Sequence, residues 1–272
     1  MTPQAFRLAF ASGLEALDGL PLAAARRHYD RLCQGFAPPL PSDLAVGDDA
    51  IAGVSVRRFR PARARDGAIV YLHGGGWTLG SVRSHQGIAA SLAAGLTREV
   101  ASVDYRLAPE AGYGDALADC RAVIEALAPR AVVGDSAGAR LAMDALPPAW
   151  PGLLGLIYPP VGHPARQALG PDAPLLSGEE VLALWRSVAG ELPPVDPGRA
   201  PARRVEVLAV EHDPLTAPLE RAVVSWRADG AEVGYRRAPG LWHGALHAHA
   251  HLPAMREAWR DLCGALAARL DA

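Results

Sequence analysis

Lysine and asparagine are both absent from this 272-residue chain, so all 27 basic residues are arginine. Without lysine there is no Schiff-base chemistry, no pyridoxal phosphate anchor, no Ser–Lys dyad and no phosphate-loop lysine. Without asparagine there is no N-glycosylation site and no Cys–His–Asn triad. A coding bias towards Ala, Arg, Gly and Pro explains both absences, and the chemical exclusions hold whatever their origin. Cysteine is scarce. Cys33, Cys120 and Cys263 lie far apart and in no C-x-x-C pattern, which reads as reduced thiols packed in the helices of a cytoplasmic protein. No segment approaches the ~18 apolar residues that a membrane span needs. Glu15 and Asp18 interrupt what would have to be the apolar core of a leader. Formal net charge is −2 with both signs scattered, so no electrostatic footprint for nucleic acid or an anionic membrane stands out.

What is present is a chain that is 50% hydrophobic, enough for the core of one large α/β domain. Residues 1–45 read as two helical segments, the second starting near Pro21, followed by the breaker FAPPLP. Strands are expected at Val54–Arg60, Ala68–His73, Val100–Tyr105, Ala131–Asp135, Leu153–Tyr158, Val205–Val210 and Ala231–Arg237. Helices alternate with them, and the last runs from Pro253 to about Leu270. Such alternation predicts a mostly parallel, doubly wound sheet covered on both faces. Residues 159–204 are proline-rich, with one amphipathic stretch at Glu179–Val188. They are expected to form a small cap with the N-terminal helices over a core of residues 46–272, because ligands of open α/β sheets sit at the strands' carboxyl ends.

The sharpest local pattern is GDSAG, Gly134–Gly138, between the strand AVV and the helix ARLAMDAL. A tight strand-to-helix turn needs small neighbours and lifts the Ser136 hydroxyl above the sheet edge, as the G-x-S-x-G nucleophile motif requires. A plain helix-capping serine is the alternative. If Ser136 attacks a carbonyl, donors must already point at the oxygen that becomes negative. The stretch YLHGGGW supplies candidates: Gly74 and Gly75, where a side chain would block close approach, together with the N–H of Ala137. Neither G-x-G-x-x-G nor a phosphate-loop pattern is present.

HGGGW (His73–Trp77), DYRLAPE (Asp104–Glu110) and GDSAG, in this order, resemble the hormone-sensitive-lipase-like branch of the α/β-hydrolases. The resemblance implies an α/β-hydrolase fold, a serine carboxylesterase acting on small, short-acyl esters through an acyl-enzyme, no cofactor and no metal. It implies that Asp104, Arg106 and Glu110 brace the loops of the site, that Trp77 lines its mouth, and that a homodimer could form through the final strand and helix. The triad should follow in the order Ser, acid, His. Asp213, in EHDPL at a strand's end, matches the acid position, with Glu211 a rival two residues earlier. His243, in GLWHGAL, stands where the general base belongs, and its ordinary pKa of ~6.5 suits proton exchange near neutrality. The run HAHAH (His247–His251) reads as an exposed turn before the last helix rather than a zinc site. Two other functions stay open at this stage: amide or N-acyl hydrolysis on the same triad, and a non-catalytic small-molecule receptor, against which the presence of His243 counts.

Overall fold

Eight strands form one sheet in the computed structural model, which describes residues 1–147, 150–188 and 196–272. They are β1 (Leu44–Ile51), β2 (Val54–Pro61), β3 (Arg65–Leu72), β4 (Arg98–Val103), β5 (Ala131–Asp135), β6 (Leu153–Ile157), β7 (Arg204–His212) and β8 (Glu232–Trp242). Their spatial order is β1-β2-β4-β3-β5-β6-β7-β8. The pairs β1–β2 and β2–β4 are antiparallel and the other five are parallel. The helices are α1 (Pro3–Glu15), α2 (Leu22–Gln34), α3 (Gln86–Leu96), α4 (Tyr113–Leu127), α5 (Ala137–Ala145), α6 (Gly178–Val188), α7 (Thr216–Ala228) and α8 (Pro253–Asp271).

The doubly wound arrangement follows from period-two burial on both faces of the central strands. Along β3, Ile69 and Tyr71 join a core beneath α1, α2, α3 and α8, while Val70 and Leu72 join a second core beneath α4, α5 and α7. Strand β5 repeats the division, with Ala131 and Val133 on one side and Val132 on the other. An apolar run buried on both faces is what a central parallel strand needs, and truncating one such residue, Leu72 for instance, costs about 2–5 kcal/mol. Helix starts obey local rules as well. Pro3 and Pro253 open α1 and α8, and the Thr2 hydroxyl accepts the Ala5 N–H at 3.1 Å.

The α/β-hydrolase architecture expected from the sequence is present, with two differences at its edges. Strand β1 lies outside the strands that the sequence pattern predicts. Its sequence LAVGDDAI is polar and largely exposed, so it lacks the apolar pattern that marks an inner strand. Strand β8 runs on to Trp242 rather than ending near Arg237, which brings its end directly to His243. The stretch 159–204 contains α6 as expected, although part of it, 189–195, lies outside the described residues.

Candidate active site

Ser136 sits on the turn between β5 and α5 with φ +50° and ψ −121°. That conformation is rare for a side-chain-bearing residue and costs about 1–3 kcal/mol. Two glycines make the turn possible. A Cβ on Gly138 would stand 2.1 Å from the Leu72 carbonyl oxygen, and one on Gly134 would stand 2.6 Å from the Gly138 carbonyl oxygen. The helix therefore starts against the backbone of β3, and the serine is pushed out at the sheet's carboxyl edge.

Ser136 Oγ lies 2.9 Å from Nε2 of His243, which directly follows β8. His243 Nδ1 is 2.7 Å from Oδ2 of buried Asp213 at the end of β7, and Oδ1 of that carboxylate accepts the Leu215 N–H at 2.8 Å. With Nδ1–H donating to the carboxylate, Nε2 is left as an acceptor for the serine O–H. The rival Glu211 is turned elsewhere. Its carboxylate accepts the Gly240 N–H at 2.7 Å, and that hydrogen bond above all holds its pKa below the usual range.

The three glycines divide their work, and the expectation for Gly74 needs correcting. Its N–H donates to Asp135 Oδ1 at 2.9 Å, so it is committed and cannot receive a substrate oxygen. Gly75, with φ +116°, and Gly76, with φ +62°, line the cavity beside Ser136. Among the described residues their N–H groups have no hydrogen-bond acceptor, and neither has the Ala137 N–H in the first turn of α5. The donor set that the geometry offers is thus Gly75, Gly76 and Ala137. Gly76 takes the place expected of Gly74, because the Asp135 carboxylate engages the loop at Gly74 and leaves the next two amides free.

Trp77 lines the cavity from a buried position rather than from its mouth. Its Nε1–H donates to the Ala137 carbonyl at 3.1 Å, and its ring meets Trp185 of α6 edge-to-face at 5.7 Å. Trp185 in turn lies under the Arg140 guanidinium, 5.0 Å from the ring centre. The DYRLAPE residues tie neighbouring helices down. Arg106 pairs with Asp115 and Asp119 of α4, and Glu110 pairs with Arg26 of α2, which also donates to the carbonyls of Thr78 and Ala108.

The HAHAH run is a second correction. Ala245–Ala248 form a 3₁₀ turn, and His247 and His249 are both buried, where an exposed turn was expected. Helices α1, α2 and α8 cover them: Phe10 stacks on His247, and Trp259 lies beside His249. Burial pushes His247 down to about 3 and His249 to about 4. Buried His73 is likewise pushed down to about 3. His85 is also buried, 3.5 Å from Asp135 Oδ2 and edge-on to His247. Burial alone would raise Asp135, but the neighbouring imidazole of His85 and the hydrogen bond from the Tyr71 hydroxyl outweigh it and carry the carboxyl to about 2. Sequence reasoning missed Asp135, although it stands inside the nucleophile motif itself.

Ser136, Asp135, His243, His247, Gly75 and Gly76 line a cavity of about 510 Å³. Phe10 and Leu14 of α1, Tyr29 of α2, and Leu184 and Trp185 of α6 form part of its wall, opposite Ser136 and His243. Among the described residues no arginine lines it. A hydroxyl bonded to an imidazole, an ionisable carboxylate behind that imidazole, and free amides alongside are the parts of nucleophilic acyl transfer.

Comparisons with known proteins agree with the geometry. Residues 69–247 match the family model for the alpha/beta hydrolase fold. The chain is 31% identical to Carboxylesterase NlhH of Mycobacterium tuberculosis, over 89% of this chain and 87% of that one. It resembles the solved hyperthermophilic esterase from the archaeon Pyrobaculum calidifontis, with TM-score 0.80, 25% identity and 99% of each chain covered. A hormone-sensitive lipase from a metagenome library shares the fold, with TM-score 0.86 at 22% identity over 99% of each chain.

Proposed function

The chain belongs to the α/β-hydrolase fold family, on its hormone-sensitive-lipase-like branch, and from that premise we propose how it acts as a carboxylesterase. The observation that carries the reading is the 2.9 Å contact between Ser136 Oγ and His243 Nε2. Ser136 attacks the carbonyl carbon of a small-molecule ester while His243 takes the hydroxyl proton. Asp213 holds the imidazole in the required tautomer and stabilises its charged form. The carbonyl oxygen becomes negative and is received by the N–H groups of Gly75, Gly76 and Ala137. His243 then gives its proton to the departing alcohol, leaving an acyl group on Ser136. Water attacks that acyl group, its proton passes to His243 and on to Ser136, and the acid leaves.

Short acyl groups are favoured in this reading, since Trp77 and Trp185 narrow the cavity. Helices α1, α2 and α6 act as a cap, supported by their share of the cavity wall. A homodimer joined along β8, an edge strand of the sheet, is part of the proposal and is tested by light scattering. Three buried, unpaired thiols support a cytoplasmic setting. Among the described residues no helix is long and apolar enough to cross a membrane. Amide hydrolysis and ligand binding without turnover are not favoured beside relatives named as esterases. Replacing Ser136 with alanine should abolish turnover of p-nitrophenyl acetate, and unchanged turnover would end the assignment.

A further inference from the structure

Asp135 ends β5 immediately before Ser136 and is 2% exposed. Its Oδ1 accepts the Tyr71 hydroxyl at 2.6 Å and the Gly74 N–H at 2.9 Å, and Nε2 of His85 lies 3.5 Å from Oδ2. A Cβ on Gly74 would stand 2.5 Å from that second oxygen. The carboxylate therefore occupies the space that makes glycine necessary at 74.

The register of the sheet shows where this contact matters. Strands β3 and β5 pair in parallel only as far as Leu72 opposite Gly134. Beyond that pair the chain at His73 leaves the ladder, and among the described residues no strand pairing fixes the glycine loop against the serine turn. Side chains do so instead: Asp135 holds the Gly74 N–H, Trp77 Nε1–H donates to the Ala137 carbonyl at 3.1 Å, and behind them the Tyr105 hydroxyl donates to the His73 carbonyl at 2.6 Å. Asp135 makes its bond from the residue immediately before the nucleophile to the N–H of the glycine immediately before Gly75, whereas Trp77 is bound through its ring, beyond both donor glycines. A displacement of the loop by even 1 Å would carry the Gly75 and Gly76 amides out of hydrogen-bond range of an oxygen on the attacked carbon.

We propose that Asp135 is a positioning residue: by holding the Gly74 N–H from the residue next to Ser136, it fixes the distance between the nucleophile and the amides of Gly75 and Gly76. The inference rests on the serine-esterase reading above. It differs from a purely structural role, in which the carboxylate would only satisfy buried donors and its loss would lower stability without altering chemistry in the molecules that fold.

The test counts active sites by complete labelling with a fluorophosphonate and expresses kcat on p-nitrophenyl acetate per labelled site. Affinity for a trifluoromethyl ketone is measured in parallel, since it adds to the serine and places a negative oxygen among the amides. Asp135→Ala should lower kcat per site on the order of 100-fold and weaken ketone binding by a similar factor, as loss of an oxyanion donor does. Asp135→Asn keeps an acceptor for Gly74 and should recover kcat to within roughly 10-fold of the parent. If Asp135→Ala yields no folded protein, Asp135→Ser decides by the same two numbers, because its hydroxyl is too short to reach Gly74. A kcat per site and ketone affinity within about 3-fold of the parent in the Ala or Ser variant overturns the proposal. That outcome leaves the esterase reading standing, whereas full turnover by Ser136→Ala removes the reading itself.

Discussion

Leu184 of α6 closes over Gly76: a Cβ on that glycine would stand 2.7 Å from the leucine Cδ2. The α6 segment thus rests on one of the amides assigned to the oxyanion. At Gly75 the obstacle is different, because a Cβ there would stand 2.3 Å from the Leu79 carbonyl oxygen, which is backbone and cannot turn aside. Both positions have positive φ, a region that costs a side-chain-bearing residue about 1 kcal/mol or more. Gly75→Ala should therefore lower kcat on the order of 100-fold, and Gly76→Ala less, roughly 10-fold, since the end of Leu184 can rotate. Steady-state kinetics on p-nitrophenyl acetate checks the order, and the reverse order contradicts this division of roles.

Asp213→Asn should leave the fold intact and lower kcat by roughly 10³–10⁴-fold, because an amide in place of the carboxylate favours the wrong imidazole tautomer. Glu211→Gln should change kcat by less than about 2-fold, since that carboxylate is bound to Gly240 at the surface rather than to the imidazole. Equal losses in the two variants would refute the choice of acid.

Acid should destabilise the fold earlier than carboxylate titration alone would. His73 and His247 are pushed down to about 3 and His249 to about 4, each chiefly by burial. Such groups bind protons more readily in the unfolded chain, so their contribution to stability is complete above the ordinary imidazole value of ~6.5 and is lost as pH falls from there towards 3. Asp135, at about 2, adds a further loss below ~3.9. Thermal unfolding should show Tm falling steadily between pH 6.5 and 4.5, with a shallower slope in His247→Leu. A Tm that stays level across that interval contradicts the buried neutral histidines.

Trp185→Ala should enlarge the cavity where Trp185 meets Trp77. Relative kcat/KM for octanoate over acetate p-nitrophenyl esters is expected to rise by roughly 10-fold or more, because each buried CH₂ is worth about 0.8 kcal/mol. Arg140 also loses the ring it covers, so Tm should drop as well. An unchanged chain-length profile would show that Trp185 does not bound the acyl site.

The parts that sequence revealed are those coded over short distances. The turn at Ser136 is set by Gly134 and Gly138 within five residues, and Asp213 and His243 each follow a recognisable apolar strand. What stayed hidden depends on which strands become neighbours. The bond between Asp135 and Gly74 joins residues 61 apart and exists because β3 lies beside β5. The burial of His247 and His249 depends on α1, α2 and α8 arriving over a stretch that reads as polar by itself. Strand β1 escaped because edge strands carry charge where inner strands carry valine and leucine.

Covalent labelling reads the central claim with the least intervening inference. After reaction with a fluorophosphonate, digestion and mass spectrometry should find one adduct, on the peptide bearing Ser136. Labelling should be slowed by several orders of magnitude in His243→Ala. An adduct on another residue, or full ester turnover by protein that takes no label, would contradict the account.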